Sequence, residues 1–380
     1  MAERSSLLIS LMTLGIVLPF YLSGPLMFIV LVSLVTIKRK QLLLYLERSW
    51  FVLLFISLTI ANSFWHRNEV GVLVGLALAC FTLYFSCYQQ VVTGQLYRKL
   101  LQFLSVGSLF ACTKAVWDYL QYVVQNKVSF LYIVQEASPK FRAESTFFNA
   151  NYFGLYCIFI LIINVYLLTS TTSFRERWLP MISSLLAFFG LILTASRMVY
   201  PTVFVAIIGY FFMLNRKLGR VFAGIGVTLG AVIAIHPGVI PRLSSLSYAF
   251  EDRFALWQTG WQIFARSPLL GRGPFSYAKY YYLFDTKPTM HSHQLLIDTL
   301  ANYGLFGLLL LTCIAIPLIR RIVSDAQNGG YRHELALIVS MLIAVLVHGI
   351  TDVSIFWLQT GYIFLIVILP PFAKMTGNKE

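Results

Sequence analysis

Residues 251–307 read EDRFALWQTGWQIFARSPLLGRGPFSYAKYYYLFDTKPTMHSHQLLIDTLANYGLFG and form most of the longest polar interruption in an otherwise apolar chain. The interruption begins at about Pro241, holds arginines, histidines and tyrosines, and then runs directly into a new apolar segment. Long polar loops of this kind commonly carry the functional groups of a protein. We therefore expect the chemistry to lie in or beside residues 241–307.

The composition around this loop is typical of a membrane protein. Of the 380 residues, 58% are hydrophobic and only 12% are charged, whereas soluble domains carry about 25% charged residues. The net charge of +14 would suit nucleic acid, but positively charged cytoplasmic loops explain it more simply. We expect a protein that is embedded in the lipid bilayer and that binds no nucleic acid.

Twelve apolar runs approach or exceed the length needed to cross the hydrocarbon core. They are Ser6–Leu22, Pro25–Ile37, Trp50–Asn62, Gly71–Tyr88, Leu101–Leu120, Ala150–Thr169, Leu179–Ser196, Met198–Leu214, Val221–Ile240, Leu295–Ile319, Leu335–Ile350 and Ser354–Ala373. The second is short, so we expect the first pair to tilt or shift at its Gly-Pro joint. The predicted fold is an all-α integral membrane protein, one transmembrane helical domain over residues 1–380, with the loop 241–294 inserted between spans nine and ten.

Basic residues assign the two sides of this bundle. They concentrate at the termini and in the even-numbered connections, as Arg4, Lys38, Arg39, Lys40, Arg48, Arg98, Lys99, Arg175, Arg177, Arg216, Lys217, Arg220, Arg320, Arg321, Arg332, Lys374 and Lys379. By the positive-inside rule, these connections and both termini are cytoplasmic. The loop 241–294 and the shorter loop Gln121–Asn149 are then predicted to lie outside.

Arg197 does not fit the topology pattern. It lies between two apolar runs with almost no linker, where a guanidinium is costly unless it pairs with an anion or faces a polar cavity. One interpretation is an arginine that snorkels at a helix end. The other is an anion ligand, because the planar guanidinium donates two parallel hydrogen bonds to a phosphate.

Arg253 lies near the start of a predicted amphipathic helix in the external loop. The aromatic residues of that helix recur at three- and four-residue spacing, at Phe250, Phe254, Trp257, Trp261 and Phe264, which suits a helix lying in the membrane interface. Arg253 either pairs locally with Glu251 or Asp252 or binds an anion.

His291 and His293 stand immediately before the tenth apolar run. A metal site would need further ligands; Asp285, Asp298, His348 and Asp352 are candidates, but no metal-binding spacing occurs, and no metal is predicted. A histidine suits a general base, since its unperturbed pKa of about 6.5 lets it accept a hydroxyl proton near neutral pH. His348 and Asp352, four residues apart, form a helical pair or orient part of the site.

Several short motifs resemble those of the bacterial O-antigen ligase and O-antigen polymerase superfamily. They are His293-Gln294 with Gly304 and Gly307, Arg253-x-x-x-Trp257, the run from Pro268 to Pro274, Thr194-x-Ser196-Arg197, and Phe147-Phe148-Asn149-Ala150-Asn151-Tyr152. Their order and the twelve runs cover most of the chain. Ala150 replaces a usual proline, and Phe275 stands where a glycine often follows Gly-Pro; both departures concern loop shape.

This resemblance implies transfer of a glycan from an undecaprenyl diphosphate carrier to a sugar hydroxyl, with inversion and without a metal or other cofactor. It implies that Arg197 and Arg253 hold the diphosphate and that His293 is the catalytic base. Residues expected to bind substrate are Arg272, His291, Gln294, Asn149, Asn151, Tyr152, His348 and Asp352. The implied acceptor is a glycan or lipid A core, and the implied location is the bacterial cytoplasmic (inner) membrane, with the site facing the periplasm or the outside.

Alternatives remain open from the sequence. Ligase and polymerase differ in their acceptor, and the motifs do not separate them. A transporter of an anion or lipid-linked sugar would explain cavity arginines, and Lys114 with Asp118 is a candidate intramembrane pair. It would leave the paired histidines unexplained. A scaffold without catalysis gives no reason for the position of Arg197.

Overall fold

The structure is a computed structural model that describes residues 2–47, 49–136, 138–236, 246–284, 286–328 and 331–370. Over these ranges the chain is all-α and contains no strand. The helices are α1 (Ala2–Gly15), α2 (Phe20–Glu47), α3 (Trp50–Trp65), α4 (Glu69–Val91), α5 (Gly94–Asn126), α6 (Tyr132–Gln135), α7 (Ala150–Thr169), α8 (Phe174–Leu193), α9 (Val199–Leu214), α10 (Arg216–Ile235), α11 (Leu246–Ala265), α12 (Ser276–Tyr280), α13 (Leu295–Asn328), α14 (Arg332–His348) and α15 (Leu358–Ile368). Short 3₁₀ turns occupy Tyr281–Leu283 and Ser354–Phe356.

The helices confirm an all-α membrane protein. Each of the twelve apolar runs overlaps one of twelve helices over most of the run, while α6, α11 and α12 belong to the two predicted external loops. Six helices, namely α2, α4, α5, α7, α8 and α13, are long and apolar enough to cross a membrane. That the remaining six also cross, and which side each terminus occupies, stays a prediction.

The boundary between the first two helices differs from the expectation. The sequence suggested a joint at Gly24-Pro25, but α1 ends at Gly15 and Pro25 lies inside α2. The carbonyl of Pro19 accepts the amide N–H groups of Leu22 and Ser23 at 2.8 and 2.9 Å, so the helix is already established before Pro25. Pro25 is the sixth residue of α2, so it removes one interior backbone bond, to the carbonyl of Tyr21, and the helix continues through it.

Some sequence assignments lie outside the described residues. These are Arg48, Pro241, Arg242, Asp285, Lys374 and Lys379, together with the ends of the ninth run, Val221–Ile240, and of the twelfth run, Ser354–Ala373. The described part of the loop 241–294 therefore begins with α11 and omits residue 285.

Helix α7 forms the centre of the bundle. Nearly every side chain from Ala150 to Leu167 is buried, against α5, α8, α9, α14 and α15. In its middle, Asn164 is fully buried and bonds the hydroxyls of Ser105 and Ser183 at 2.8 and 2.7 Å. Such polar contacts hold apolar helices in register, since an unpaired amide would be costly there. The N-terminal end of α7 is thereby fixed relative to its neighbours.

The connections predicted to be external meet at one end of the bundle. The Thr146 hydroxyl, just before α7, bonds the carbonyl of Val17 at 2.6 Å. Gln359, at the start of α15, bonds the carbonyl of Leu18 at 2.9 Å. Asn68, before α4, bonds the carbonyl of Pro274 at 2.7 Å. This convergence agrees with the alternation of loops inferred from the charges.

Helix α13 is broken at Gly304, its tenth residue. Its backbone has φ 67° and ψ −173°, which is not helical, and the region is accessible in practice only to glycine. The segment Leu269–Gly271 lies against this break, and the N–H groups of Leu305 and Phe306 bond the carbonyls of Pro268 and Leu269 at 2.8 and 2.9 Å. Gly304 thus lets the external loop pack directly against α13.

Replacing Gly304 with alanine is expected to lower the free energy of unfolding by about 2 kcal/mol or more. A Cβ there would lie 2.4 Å from the backbone carbonyl of Leu269, besides straining φ. Gly224→Ala is the matched control, because a Cβ at that helical glycine meets nothing within 4 Å. Melting of the two purified variants in the same detergent gives the comparison; equal midpoints would contradict this role of Gly304.

Candidate active site

The site is organised around Asp352, which lies between α14 and α15. Its side chain is 2% exposed. One carboxylate oxygen accepts from the amide of Val353 at 2.7 Å and from the hydroxyl of Ser354 at 3.0 Å. The other accepts from Asn151 Nδ2 at 2.5 Å and lies 3.1 Å from His293 Nδ1. Four donors thus surround one buried carboxylate.

This environment keeps Asp352 ionised. Burial alone would favour the protonated acid, but the hydrogen bond with His293 and the neighbouring histidines His291 and His348 hold the pKa of Asp352 well below its ordinary value. A carboxylate without a proton accepts hydrogen bonds and cannot donate them. Nδ1 of His293 is therefore the donor in this pair, and a neutral His293 ring carries its lone pair on Nε2.

His291 is a buried neighbour that contacts the backbone of His293. It is 7% exposed, its Nδ1 accepts the amide N–H of His293 at 3.3 Å, and its Nε2 lies 3.0 Å from the Tyr152 hydroxyl. Burial lowers the pKa of His291, although Asp352 opposes this effect. The neutral ring that results accepts through Nδ1 and donates through Nε2 to Tyr152.

The four-residue spacing of Arg253 and Trp257 places both on the face of α11 that meets these histidines. Arg253 Nη1 donates to the carbonyl of Thr351 at 2.6 Å and lies 3.9 Å from Asp352 Oδ2. Trp257 Nε1 donates to the carbonyl of His293 at 3.2 Å. His293 has a left-handed backbone with φ 57°, which is uncommon for a non-glycine residue, and the indole helps to hold it.

A cavity of about 380 Å³ opens beside Asp352. Its wall includes three arginines, Arg142, Arg197 and Arg253, together with His348 and Asp352. Arg197 lies in the short connection between α8 and α9, as the sequence predicted. His348 is 1% exposed, and its Nε2 has no hydrogen-bond partner among the described residues. A cavity with this lining offers donors to an anionic ligand.

Arg142 is the site residue that sequence reasoning missed. Its guanidinium donates to the carbonyl of Thr194 at 3.0 Å and to Asn151 Oδ1 at 2.7 Å. It thus joins the connection between α8 and α9 to the start of α7. The available signal was its position in the external loop Gln121–Asn149, seven residues before Asn149.

The other predicted substrate-binding residues are distributed as follows. Asn149 caps α7 by accepting the amide of Asn151 at 2.8 Å. Gln294 caps α13 by accepting the amide of Ile297 at 2.5 Å. Arg272 does not line the cavity, and its guanidinium lies 4.7 Å from the ring centre of Tyr280. A substrate-binding role for each of them stays a prediction.

Phe275 and Asp298 have structural roles near the external loop. Phe275, in the position where a glycine was expected, adopts φ 58°, which is the conformation that glycine favours. Asp298 is buried and accepts the amide of Ser292 at 3.0 Å and the amide side chain of Asn302 at 2.7 Å. It therefore fixes the residue between the two histidines.

His291, His293 and Asp352 also form a potential metal cluster. One ligand atom from each lies within 4.8 Å of the others. The carboxylate, however, already accepts four protein hydrogen bonds, and the Arg253 guanidinium lies 3.9 Å away. A cation would have to displace these donors and approach a fixed positive charge, so the residues fit a hydrogen-bonded acid–histidine pair better than a metal centre.

Residues 182–312 match the model of the family described as O-antigen ligase. Over these residues the chain is similar to the O-antigen ligase family. This match confirms the resemblance to the O-antigen ligase and polymerase superfamily that the motifs indicated. No curated protein matches the chain.

The O-antigen ligase match covers only part of the candidate site. Arg197, Arg253 and His293 lie inside residues 182–312, as do Gly304 and Gly307. Four further residues of the site, Arg142, Asn151, His348 and Asp352, lie outside that stretch. The site thus joins the matched stretch to the start of α7 and to the connection after α14.

Proposed function

We propose that this protein is a membrane glycosyltransferase that moves a glycan from an undecaprenyl-diphosphate carrier to a sugar hydroxyl during assembly of a cell-surface polysaccharide. The acceptor is a second lipid-linked glycan for a polymerase, or lipid A core or another surface glycan for a ligase. The O-antigen ligase match and the apolar helices support this class of reaction.

The observation that carries the proposal is the contact of His293 with the buried carboxylate of Asp352 beside a cavity lined by arginines. The Nδ1–Oδ2 distance is 3.1 Å, and Arg253 lies 3.9 Å from the same oxygen. A base and a set of fixed cations are the two components that such a transfer requires. An anion bound in this cavity would also offset the cost of placing the Arg197 guanidinium between two apolar runs.

The proposed reaction is a single displacement. The acceptor oxygen attacks the anomeric carbon while its proton passes to Nε2 of His293. The bond from that carbon to the diphosphate oxygen breaks, and the electron pair leaves with the diphosphate. Asp352 stabilises the imidazolium that forms, without taking the proton itself.

Arg197 and Arg253 are proposed to bind the diphosphate, with Arg142 and His348 as further donors in the same cavity wall. Negative charge grows on the leaving oxygen in the transition state, so cations already in place stabilise it more than they stabilise the bound donor. The arginines therefore contribute to the rate as well as to binding. In this scheme the protein needs no resident metal.

The proposed location is the bacterial cytoplasmic (inner) membrane, with the site facing the periplasm or the outside. The distribution of basic residues supports this orientation. The loop 241–294 then acts as an external catalytic lid, since α11 supplies Phe250, Asp252 and Arg253 to one wall of the cavity, and the loop Gln121–Asn149 and the bundle supply the rest. The transporter alternative gains no support from Lys114, which pairs with Asp118 at 2.6 Å.

The test uses purified protein in detergent with a polyprenyl-diphosphate-linked oligosaccharide and a sugar acceptor, before and after treatment with a metal chelator. We expect a glycosylated acceptor whose new linkage has the opposite anomeric configuration to the donor, assigned by proton NMR, and an unchanged rate after chelation. Retention of configuration would refute single displacement. Loss of activity that added divalent cation restores would refute the metal-independent scheme.

A further inference from the structure

A second pocket lies next to the histidine segment. Its volume is about 400 Å³, and its wall includes Arg67, Lys279 and Met290. Among the described residues, it shares no lining residue with the cavity beside Asp352. Met290 directly precedes His291 in the chain, so the pocket adjoins the segment that carries the histidines.

The pocket is built from parts that hold each other in place. Asn68 is buried and donates to the carbonyl of Pro274 at 2.7 Å, which joins the α3–α4 connection to the external loop. The Lys279 ammonium donates to the carbonyl of Arg67. The Tyr280 hydroxyl donates to the carbonyl of His66 at 3.3 Å.

Positive charge predominates at this place. Arg67 and Lys279 belong to the wall, and the guanidinium of Arg272 lies on the ring of Tyr280 behind it. Glu69 is the acidic residue in the same wall. Burial and the charges of Arg272 and Lys279 lower the pKa of the nearby His66. The predicted topology puts these cations outside, where the positive-inside rule gives no reason for them.

The surroundings place the pocket at a membrane–water boundary. Beside it, Phe64 and Trp65 are 78% and 82% exposed at the end of α3, and Tyr282 is 68% exposed. Large aromatic side chains exposed at helix ends are typical of the headgroup region of a bilayer. A ligand here would therefore be anchored in the membrane and would carry a negative group.

We infer that this pocket binds a phosphate group on a membrane-anchored glycolipid that presents the acceptor hydroxyl to His293. His293 is three positions after Met290, so their Cα atoms are at most about 11 Å apart. The donor then occupies the arginine-lined cavity, and the acceptor's phosphate occupies the pocket next to Met290. The acceptor assignment rests on the proposed function; the anion site itself does not.

The test is a binding measurement with the donor absent. Protein in nanodiscs of zwitterionic phosphatidylcholine is titrated with a glycolipid that carries one phosphate monoester, and with the same glycolipid after phosphatase treatment. Arg67→Gln with Lys279→Gln is expected to weaken binding of the phosphorylated form by about tenfold, as loss of two partly exposed charge contacts implies. Binding of the dephosphorylated form should not change.

Arg266→Gln is the matched control, because it removes one positive charge from the same loop at a residue that lies on Phe284, 4.6 Å from its ring centre, outside the pocket. It should bind as the wild type does. Should the double variant not fold, Arg67→Gln alone carries the test, since that side chain is exposed. Equal weakening for both glycolipids, or none, overturns the inference.

A bulk lipid headgroup could supply the same phosphate. Nanodiscs that contain phosphatidylglycerol separate the two sources: a preserved difference between wild type and the double variant supports the acceptor, and its disappearance overturns that assignment. In a transfer assay, the variant should show a tenfold higher KM for the phosphorylated acceptor and an unchanged kcat. Phosphate-dependent binding without any transfer by the wild type would refute the proposed function and leave the anion site intact.

Discussion

Asp352→Asn is expected to lower kcat for glycan transfer by about 10²–10⁴-fold, while the KM for the donor changes little. The carboxylate can only accept from His293 Nδ1, at 3.1 Å. An amide in its place can donate there instead, which would move the ring proton to Nε2 and remove the lone pair that takes the acceptor proton. The measurement is steady-state transfer with the donor concentration varied.

The same substitution has a stability signature. The pKa of Asp352 is lowered in the folded protein, so its ionised form stabilises the fold above the pKa of the unfolded chain, about 3.9, and this contribution is lost as pH falls through the folded pKa. Asp352→Asn should therefore melt earlier than the wild type at pH 7, by a margin that narrows below about pH 4.

Asp252→Asn is the matched control for both measurements. Asp252 also lines the cavity, but its side chain is 62% exposed and pairs with Lys287 at 2.7 Å on the rim. It should retain nearly full activity and the wild-type melting profile. If Asp352→Asn and Asp252→Asn lose kcat to a comparable extent, the loss is due to removal of negative charge from the cavity and not to a changed orientation of His293.

Arg197→Gln combined with Arg253→Gln is expected to lower kcat/KM for the donor by about 10³-fold or more, because each removes a fixed cation from the developing diphosphate charge. Arg253 also donates to the carbonyl of Thr351, so its single variant will lose some order in the loop. Arg197→Gln alone should therefore show the cleaner effect, on kcat as well as on KM.

Two further variants, Arg197→Lys and Arg266→Gln, distinguish the effect of positive charge from the effect of guanidinium geometry. The lysine keeps the charge at residue 197 but lacks the planar guanidinium, so an intermediate loss is expected. Arg266→Gln removes a positive charge outside the cavity and should leave donor kinetics unchanged. If both arginine positions in the cavity tolerate glutamine with full activity, the diphosphate is bound elsewhere.

The sequence was sufficient for features that depend on local pattern. The apolar runs predicted the helices, and the three- and four-residue spacing of the aromatic residues from Phe250 to Phe264 predicted a helix that the structure contains as α11. Arg197 was recognisable because a guanidinium between two apolar runs contradicts its surroundings. The short motifs indicated the superfamily because each one consists of residues that are close together in the sequence, and because their order along the chain can be read directly.

Features that depend on contacts between distant residues were not accessible in this way. Asp352 is 59 residues from His293 and 201 from Asn151, and nothing in the local sequence around Asp352 indicates that the three meet. Arg142 lies in an external loop, where an arginine does not by itself indicate a functional site. Its role follows only from its contacts with Thr194 and Asn151.

The shift of the first helix boundary has a similar cause. Gly24-Pro25 is a strong local signal for a break, but the carbonyl of Pro19 satisfies the first amides of α2 and lets the helix begin earlier. Local propensity was thus overridden by one cap that the pattern of apolar residues did not reveal.

The central claim is that His293, held by Asp352, takes the proton of the acceptor hydroxyl. The most direct measurement is the single-turnover rate of transfer by His293→Ala after the donor has been bound and excess acceptor is added. Normal donor binding and a rate lower by about 10²–10⁴-fold are expected. A folded His293→Ala protein that transfers at the wild-type rate would contradict the claim.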